Sequence, residues 1–209
     1  MTLLRSALLE SLPWLDHGFG TRSAPIDQNR MASLRQIHSN LCFTASSAGC
    51  AGEGDALVTA ESGLAVSVRT ADCLPVLLAD TRHRAVAAIH AGWRGSASAI
   101  VVAALRRMQN EFGTAPGDVF AAIGPGIGVC CYFVGEDVAR KFGHDRAGCI
   151  DLAGANRAQL VDAGVPAAHI DVLGLCTQCD PARFHSFRRD KEAAGRMISF
   201  IRVAEKTPV

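Results

Sequence analysis

No apolar run in this sequence approaches the ~20 residues that a bilayer-spanning helix needs. Like charges never accumulate into a run, and no segment repeats within this sequence. Net charge is only +1. No broad field therefore draws the chain to nucleic acid or to anionic lipid, and neither is expected as a partner. The N-terminal segment MTLLRSALLESLPWLDHG has Arg5 and Glu10 inside any candidate apolar stretch and no small-residue cleavage site behind it. No secretory signal is expected there. What the chain does have is apolar substance: 49% hydrophobic and 20% charged residues over 209 positions. That balance is globular, and the length suits one domain spanning 1–209 with a sizeable core.

Eight cysteines, Cys42, Cys50, Cys73, Cys130, Cys131, Cys149, Cys176 and Cys179, are scattered through a chain too long to need disulfide staples. With no secretory signal they imply a reducing, cytoplasmic setting, in which thiols persist as ligands, nucleophiles or buried apolar groups.

Residues 44–54, TASSAGCAGEG, read as flexible. Strand signals follow in Ala56–Thr59, Leu64–Val68, Leu74–Ala79 and Ala85–His90, short apolar runs whose lack of alternation implies burial on both faces. From Ser96 to Phe112 the period becomes helical, with Ser96 as N-cap and Gly113 as C′ residue. Helices are also expected over Glu136–Phe142 and Ala155–Ala163. Strands are expected at Val119–Ile123, Ile170–Leu173 and Met197–Val203. Strands and helices without strict alternation imply an α+β class with layered sheets.

Chemistry concentrates at His38, Cys73 and His90, each at the edge of a short apolar run. Two imidazoles and a thiolate are one ligand short of a closed zinc shell, as in catalytic sites that keep a position open. The same cysteine and histidine can instead form a nucleophile and its base with no metal. Around them, Gly92 and Gly95 of AGWRG permit close approach of backbone to a ligand, and Arg94 favours an anion. Gln36 and Asp72 adjoin ligands and are candidates for their support. Cys176 and Cys179 form a CxxC with no second CxxC to complete a zinc site, and adjacent Cys130 and Cys131 are poor ligands for one ion. GPGIG at 124–128 lacks the order of a phosphate loop and reads as a tight turn. Arg188 and Arg189 are read either as a carboxylate or phosphate site or as an ion pair with Asp190. His17, His83, His144, His169 and His185 show no partner pattern.

Taken together, HGFGTR (17–22), RQIHSN (35–40), GDALVT (54–59), TADCLPVLLAD (70–80), AIHAGWRG (88–95), AAIGPGIG with CCY (121–132), DLAGANRAQL (151–160), CTQCDPARFHSFRRD (176–190) and GRMISF (195–200) resemble the YfiH family, also called the multicopper polyphenol oxidase or laccase-domain family. The resemblance implies an α/β/β/α layered sandwich of mixed sheets. It also implies a metal, zinc or else copper, at His38, Cys73 and His90. The implied activities are purine nucleoside phosphorolysis and adenosine deamination, on adenosine, inosine and methylthioadenosine with phosphate. The alternatives are an amidase removing L-Ser from a muramic acid precursor, a polyphenol oxidase and a non-catalytic zinc-binding protein. In all but the last the partner is a small molecule. The chain departs from the family pattern in a much shortened stretch between Thr21 and Gln36, and at Phe133, Gln178 and Phe187.

Overall fold

Two mixed β-sheets carry the fold, in a computed structural model that describes residues 3–205. The strands are β1 (Leu15–Phe19), β2 (Met31–Arg35), β3 (Cys42–Thr44), β4 (Gly49–Glu53), β5 (Ala56–Thr59), β6 (Ala65–Thr70), β7 (Leu74–Asp80), β8 (Val86–Ala91), β9 (Val119–Ile123), β10 (Phe133–Val134), β11 (Gly148–Cys149), β12 (Ile170–Val172) and β13 (Met197–Val203). The helices are α1 (Ala7–Glu10), α2 (Trp93–Ala97), α3 (Ile100–Phe112), α4 (Glu136–Ala139), α5 (Leu152–Asp162) and α6 (Phe187–Asp190). One sheet has the order β1-β13-β6-β2-β4 and the other β12-β9-β7-β8-β5-β3, while β10 and β11 pair separately. This is the expected α+β arrangement.

The continuous apolar runs have a direct physical reading. Successive side chains of a strand point to opposite faces, and both faces of β5, β7 and β8 are buried. Leu57, Leu77, Ala79, Val86 and Ala88 point into the core between the sheets, where they meet Val66 and Ile201. Val58, Val76, Leu78 and Ile89 point the other way, against Ile100, Leu105 and Met108 of α3.

Several expected boundaries move. The single helix expected from Ser96 is two, because Ala99 takes a left-handed conformation (φ 54°) and breaks it. Ser96 is no cap: it is buried inside α2, and its Oγ accepts a 2.8 Å hydrogen bond from Asn156 Nδ2 of α5. Gly113 does close α3, at φ 72°. The helix expected at Ala155 begins earlier, at Leu152, because Asp151 caps it by accepting from Gly154 N at 2.8 Å. Only Glu136–Ala139 of the 136–142 segment is α-helical; Arg140–Phe142 tighten into a 3₁₀ turn closed by Gly143. The stretch read as flexible contains β4, an exposed strand pairing parallel with β2. Small residues without alternation gave it no strand signature.

Candidate active site

The site forms where three neighbouring strands end. β8 lies between β5 and β7, with Pro75 opposite His90 and Ala56 opposite Ile89. Cys73, just before β7, and Asp55, just before β5, therefore come to His90 from either side. His38 arrives on the loop after β2, at a φ of 60°.

Asp55 holds the assembly. Its buried carboxylate accepts hydrogen bonds from His38 N (3.0 Å), Ser39 N (2.5 Å), Ser39 Oγ (2.7 Å) and His90 Nδ1 (2.8 Å). The backbone N–H of His90 donates to Asp55 O at 2.7 Å. Engaging Nδ1 fixes the ring and leaves the other nitrogen for Cys73.

His38 Nε2 lies 4.0 Å from Cys73 Sγ. The two imidazole rings are 4.9 Å apart and nearly perpendicular. One ligand atom from each of His38, Cys73 and His90 lies within 4.8 Å of the other two. Around a tetrahedral zinc with bonds of ~2.0–2.3 Å, ligand atoms stand roughly 3.3–3.8 Å apart. The three donors fit a single ion after drawing in by about 1 Å.

Burial alone would raise the Cys73 thiol, but hydrogen bonds and charge from His38 and His90 outweigh it and bring the pKa down to about 6. Burial alone would lower His90; its hydrogen bonds to Asp55 and Cys73 outweigh that and raise it to about 9. Burial also opposes ionisation of Asp55, yet the bonds from His90 and Ser39 hold it below the usual carboxylate range. A thiolate beside an imidazolium results, a pair suited to nucleophilic attack; a metal would take the place of the imidazolium proton on the ring nitrogen facing Cys73, since only the neutral ring ligates.

The glycines of AGWRG leave space for their neighbours. A Cβ on Gly92 would stand 2.9 Å from Cys73 Sγ and 3.1 Å from His38 Cδ2, and one on Gly95 would stand 3.0 Å from Ser39 O. Both make room for the loop that carries His38.

A cavity of about 630 Å³ opens over His38, Cys73 and His90. Trp93, Tyr132 and Phe187 give it aromatic walls. Arg35, Arg69, Arg94, Arg188, Lys191 and Arg196 border it, against a single carboxylate, Asp72. The Arg94 guanidinium lies 4.6 Å from the centre of the Trp93 ring. Gln36 and Asp72 border the cavity too, but their polar ends face the chain. Gln36 exchanges two 2.8 Å hydrogen bonds with the Arg69 backbone. Asp72 accepts from Thr177 Oγ1 and Arg188 N, each at 2.6 Å. Neither side chain bonds to His38, Cys73 or His90 among the described residues. That support comes from Asp55, which adjacency to a ligand did not reveal; its one sequence signal is its place before the buried strand in GDALVT. The arginine pair divides its roles: Arg189 pairs with Asp190 at 2.8 Å, and Arg188 borders the cavity. The GPGIG turn and the CxxC also meet, which brings Cys130, Cys131, Cys176 and Cys179 into one group. Sequence spacing had argued against that grouping.

The family model described as multi-copper polyphenol oxidoreductase laccase matches residues 20–204. The chain belongs to that family. A purine nucleoside phosphorylase of Bacteroides thetaiotaomicron is 42% identical over 163 residues, covering 71% of this chain and 60% of that protein. An adenosine deaminase from an unknown prokaryotic organism is 38% identical over 161 residues, covering 70% of this chain and 61% of that protein. The chain thus spans about 60% of the length of these curated relatives. The crystal structure of YlmD from Geobacillus stearothermophilus superposes with a TM-score of 0.87 at 27% identity, covering 97% of this chain and 99% of that one. Every cavity residue of this laccase-family chain named above lies inside the matched span. No helix among its described residues is long and apolar enough to cross a membrane.

Proposed function

We propose that this chain is a zinc-dependent purine nucleoside phosphorylase that also deaminates adenosine, with adenosine, inosine and methylthioadenosine as substrates. The observation that carries the reading is one cavity combining a His/Cys/His donor set, aromatic walls and six cationic side chains. The names of the relatives support the same reaction pair. Phosphorolysis needs an anion held beside a nucleoside. Arg94, at the cavity edge, offers the charge and fork geometry that phosphate prefers. Trp93, Tyr132 and Phe187 offer faces on which a purine stacks.

His38, Cys73 and His90 are the residues that would hold the metal. Mixed imidazole and thiolate donors suit zinc and accept copper. Such an ion supplies Lewis acidity toward a water or substrate oxygen. Asp55, bonded to Nδ1, would orient the His90 ring toward the ion. Polyphenol oxidation by several copper centres fits less well. The described His, Cys and carboxylate groups gather at one mixed His/Cys site and one all-cysteine site. Eight free cysteines support the cytoplasmic setting.

The test is product analysis with adenosine, with and without phosphate. Ribose 1-phosphate should form only with phosphate, and inosine in either case. His90→Ala should abolish both products and lower zinc content. Zinc-loaded protein that turns over no nucleoside would sink the proposal. One rival has an observation in its favour: the Cys73–His90 pair with Asp55 behind it has the form of a nucleophile, base and orienting carboxylate. An amidase acting on a serine-linked cell-wall precursor would use it so, although no relative named above is such an enzyme. Amidase turnover that survives chelation and stops on alkylation of Cys73 would favour that rival.

A further inference from the structure

Four thiols meet away from the His38–Cys73–His90 cluster. Cys130 and Cys131 sit on the turn after GPGIG, and Cys176 and Cys179 on the segment before α6; one sulfur from each lies within 4.8 Å of the rest. Cys179 Sγ is 3.4 Å from Cys131 Sγ and 3.7 Å from Cys130 Sγ. Tetrahedral zinc bound by four thiolates at ~2.3 Å separates the sulfurs by roughly 3.8 Å. A disulfide would need ~2.05 Å. Two of the spacings match a four-coordinate centre, and the others, all within 4.8 Å, need to draw in by at most about 1 Å.

The backbone builds this geometry. Cys131 N and Tyr132 N both donate to Gly128 O, at 2.9 and 3.0 Å. The tight turn they close brings two adjacent cysteines to one centre, which an extended chain would forbid. Gly126 N donates to Leu175 O at 3.2 Å and Thr177 N to Gly126 O at 2.9 Å, which joins the two segments. Gly128 N donates to Cys176 Sγ at 3.3 Å, a bond that favours a thiolate. A Cβ on Gly128 would crowd Cys176 Cβ at 3.2 Å and Cys130 Sγ at 3.3 Å, so glycine leaves the sulfurs their space. Arg189 Nη1 donates to the carbonyls of Thr177 and Gln178, at 3.0 and 3.2 Å, and holds the CTQC turn from outside.

We infer that Cys130, Cys131, Cys176 and Cys179 form a second metal site, a closed zinc tetrathiolate that ties the turn before Tyr132 to the segment leading into Phe187 and Arg188. An all-sulfur, four-ligand set leaves no open position, so the role is structural. As the ion binds, each thiol releases its proton to solvent and its sulfur becomes a ligand; nothing is oxidised or reduced. The consequence reaches the cavity. Tyr132, Phe187 and Arg188 border it, and Asp72, next to Cys73, bonds both Thr177 and Arg188. The tetrathiolate would hold one wall of the cavity while the His/Cys/His cluster holds the other ion.

The experiment is zinc and cobalt(II) titration of the reduced, metal-free full chain, in parallel with two double variants. Wild type should take up about two zinc ions per chain, and His38→Ala/His90→Ala and Cys176→Ser/Cys179→Ser about one each. Cobalt in the histidine variant should show the strong sulfur-to-metal charge-transfer absorption of a four-thiolate centre. Failure of the nucleoside reading would leave that spectrum untouched, so the two proposals fail separately. A reduced, folded histidine variant that binds no zinc would overturn this one. So would a disulfide among the four cysteines that persists under reductant. Should the cysteine variant not fold, mercurial titration of zinc-loaded wild type decides: release of one zinc must track modification of these four thiols, located by peptide mass mapping, and release without their modification overturns the site.

Discussion

At the residue scale Asp55 ties the site together without lining the cavity itself. One buried carboxylate serves His38, Ser39 and His90 at once. Asp55→Asn puts an amide in place of two accepting oxygens, so at least one donor loses its partner. Zinc affinity should fall about 10–100-fold, and the chain should lose on the order of 2–4 kcal/mol. Zinc competition and urea unfolding measure the two effects; unchanged affinity would remove Asp55 from its role. Gly92→Ala tests space in place of charge. Its Cβ would stand 2.9 Å from Cys73 Sγ, so metal occupancy should drop while far-ultraviolet dichroism stays that of the wild type.

At the element scale, the break between α2 and α3 is the clearest departure from the periodic pattern. The apolar positions Ile100, Ala104 and Met108 do mark the buried face of α3. The pattern could not show that Ala99 adopts φ 54°, because alanine is the best helix former and its local preference is overridden. Ser98 O accepts from Asn40 Nδ2 at 3.1 Å, and buried Ser96 bonds Asn156; the break seats α2 against both the His38 loop and α5. A left-handed alanine costs roughly 1–2 kcal/mol. Ala99→Gly should therefore raise stability by up to about 1 kcal/mol after its own entropic loss, and Ala99→Val should lower it. Urea midpoints of the two variants check the sign.

At the scale of the whole molecule, buried ionisable groups outside the site make stability depend on pH. His17, on β1, is buried and accepts a 3.0 Å hydrogen bond from Ser6 N at Nε2. Burial first, then the charge of Arg5, lowers its pKa from 6.5 to about 4, with Asp16 opposing. Between those values the unfolded chain holds the proton and the folded chain does not, so stability is complete above 6.5 and falls as the pH drops toward 4. The loss is on the order of 3 kcal/mol. His185 shifts the same way, so the comparison needed is wild type against His17→Gln, which keeps an acceptor for Ser6. The unfolding free energy of the variant should depend less steeply on pH across that interval; parallel curves would refute the assignment.

Composition and pattern by themselves determined the α+β class, the doubly buried strands β5, β7 and β8, and the end of α3 at Gly113, because each is set by residues within a few positions of one another. Ligand chemistry at strand edges, together with the family resemblance, pointed to His38, Cys73 and His90 among eight cysteines and seven histidines. Tertiary structure decided the rest. Asp55 and His90 are 35 positions apart, and Cys131 and Cys179 are 48 apart. Nothing local in the chain encodes such meetings. They arise because antiparallel pairing sets strand ends side by side, and because a tight turn at Gly128 lets two neighbouring cysteines face the same partner.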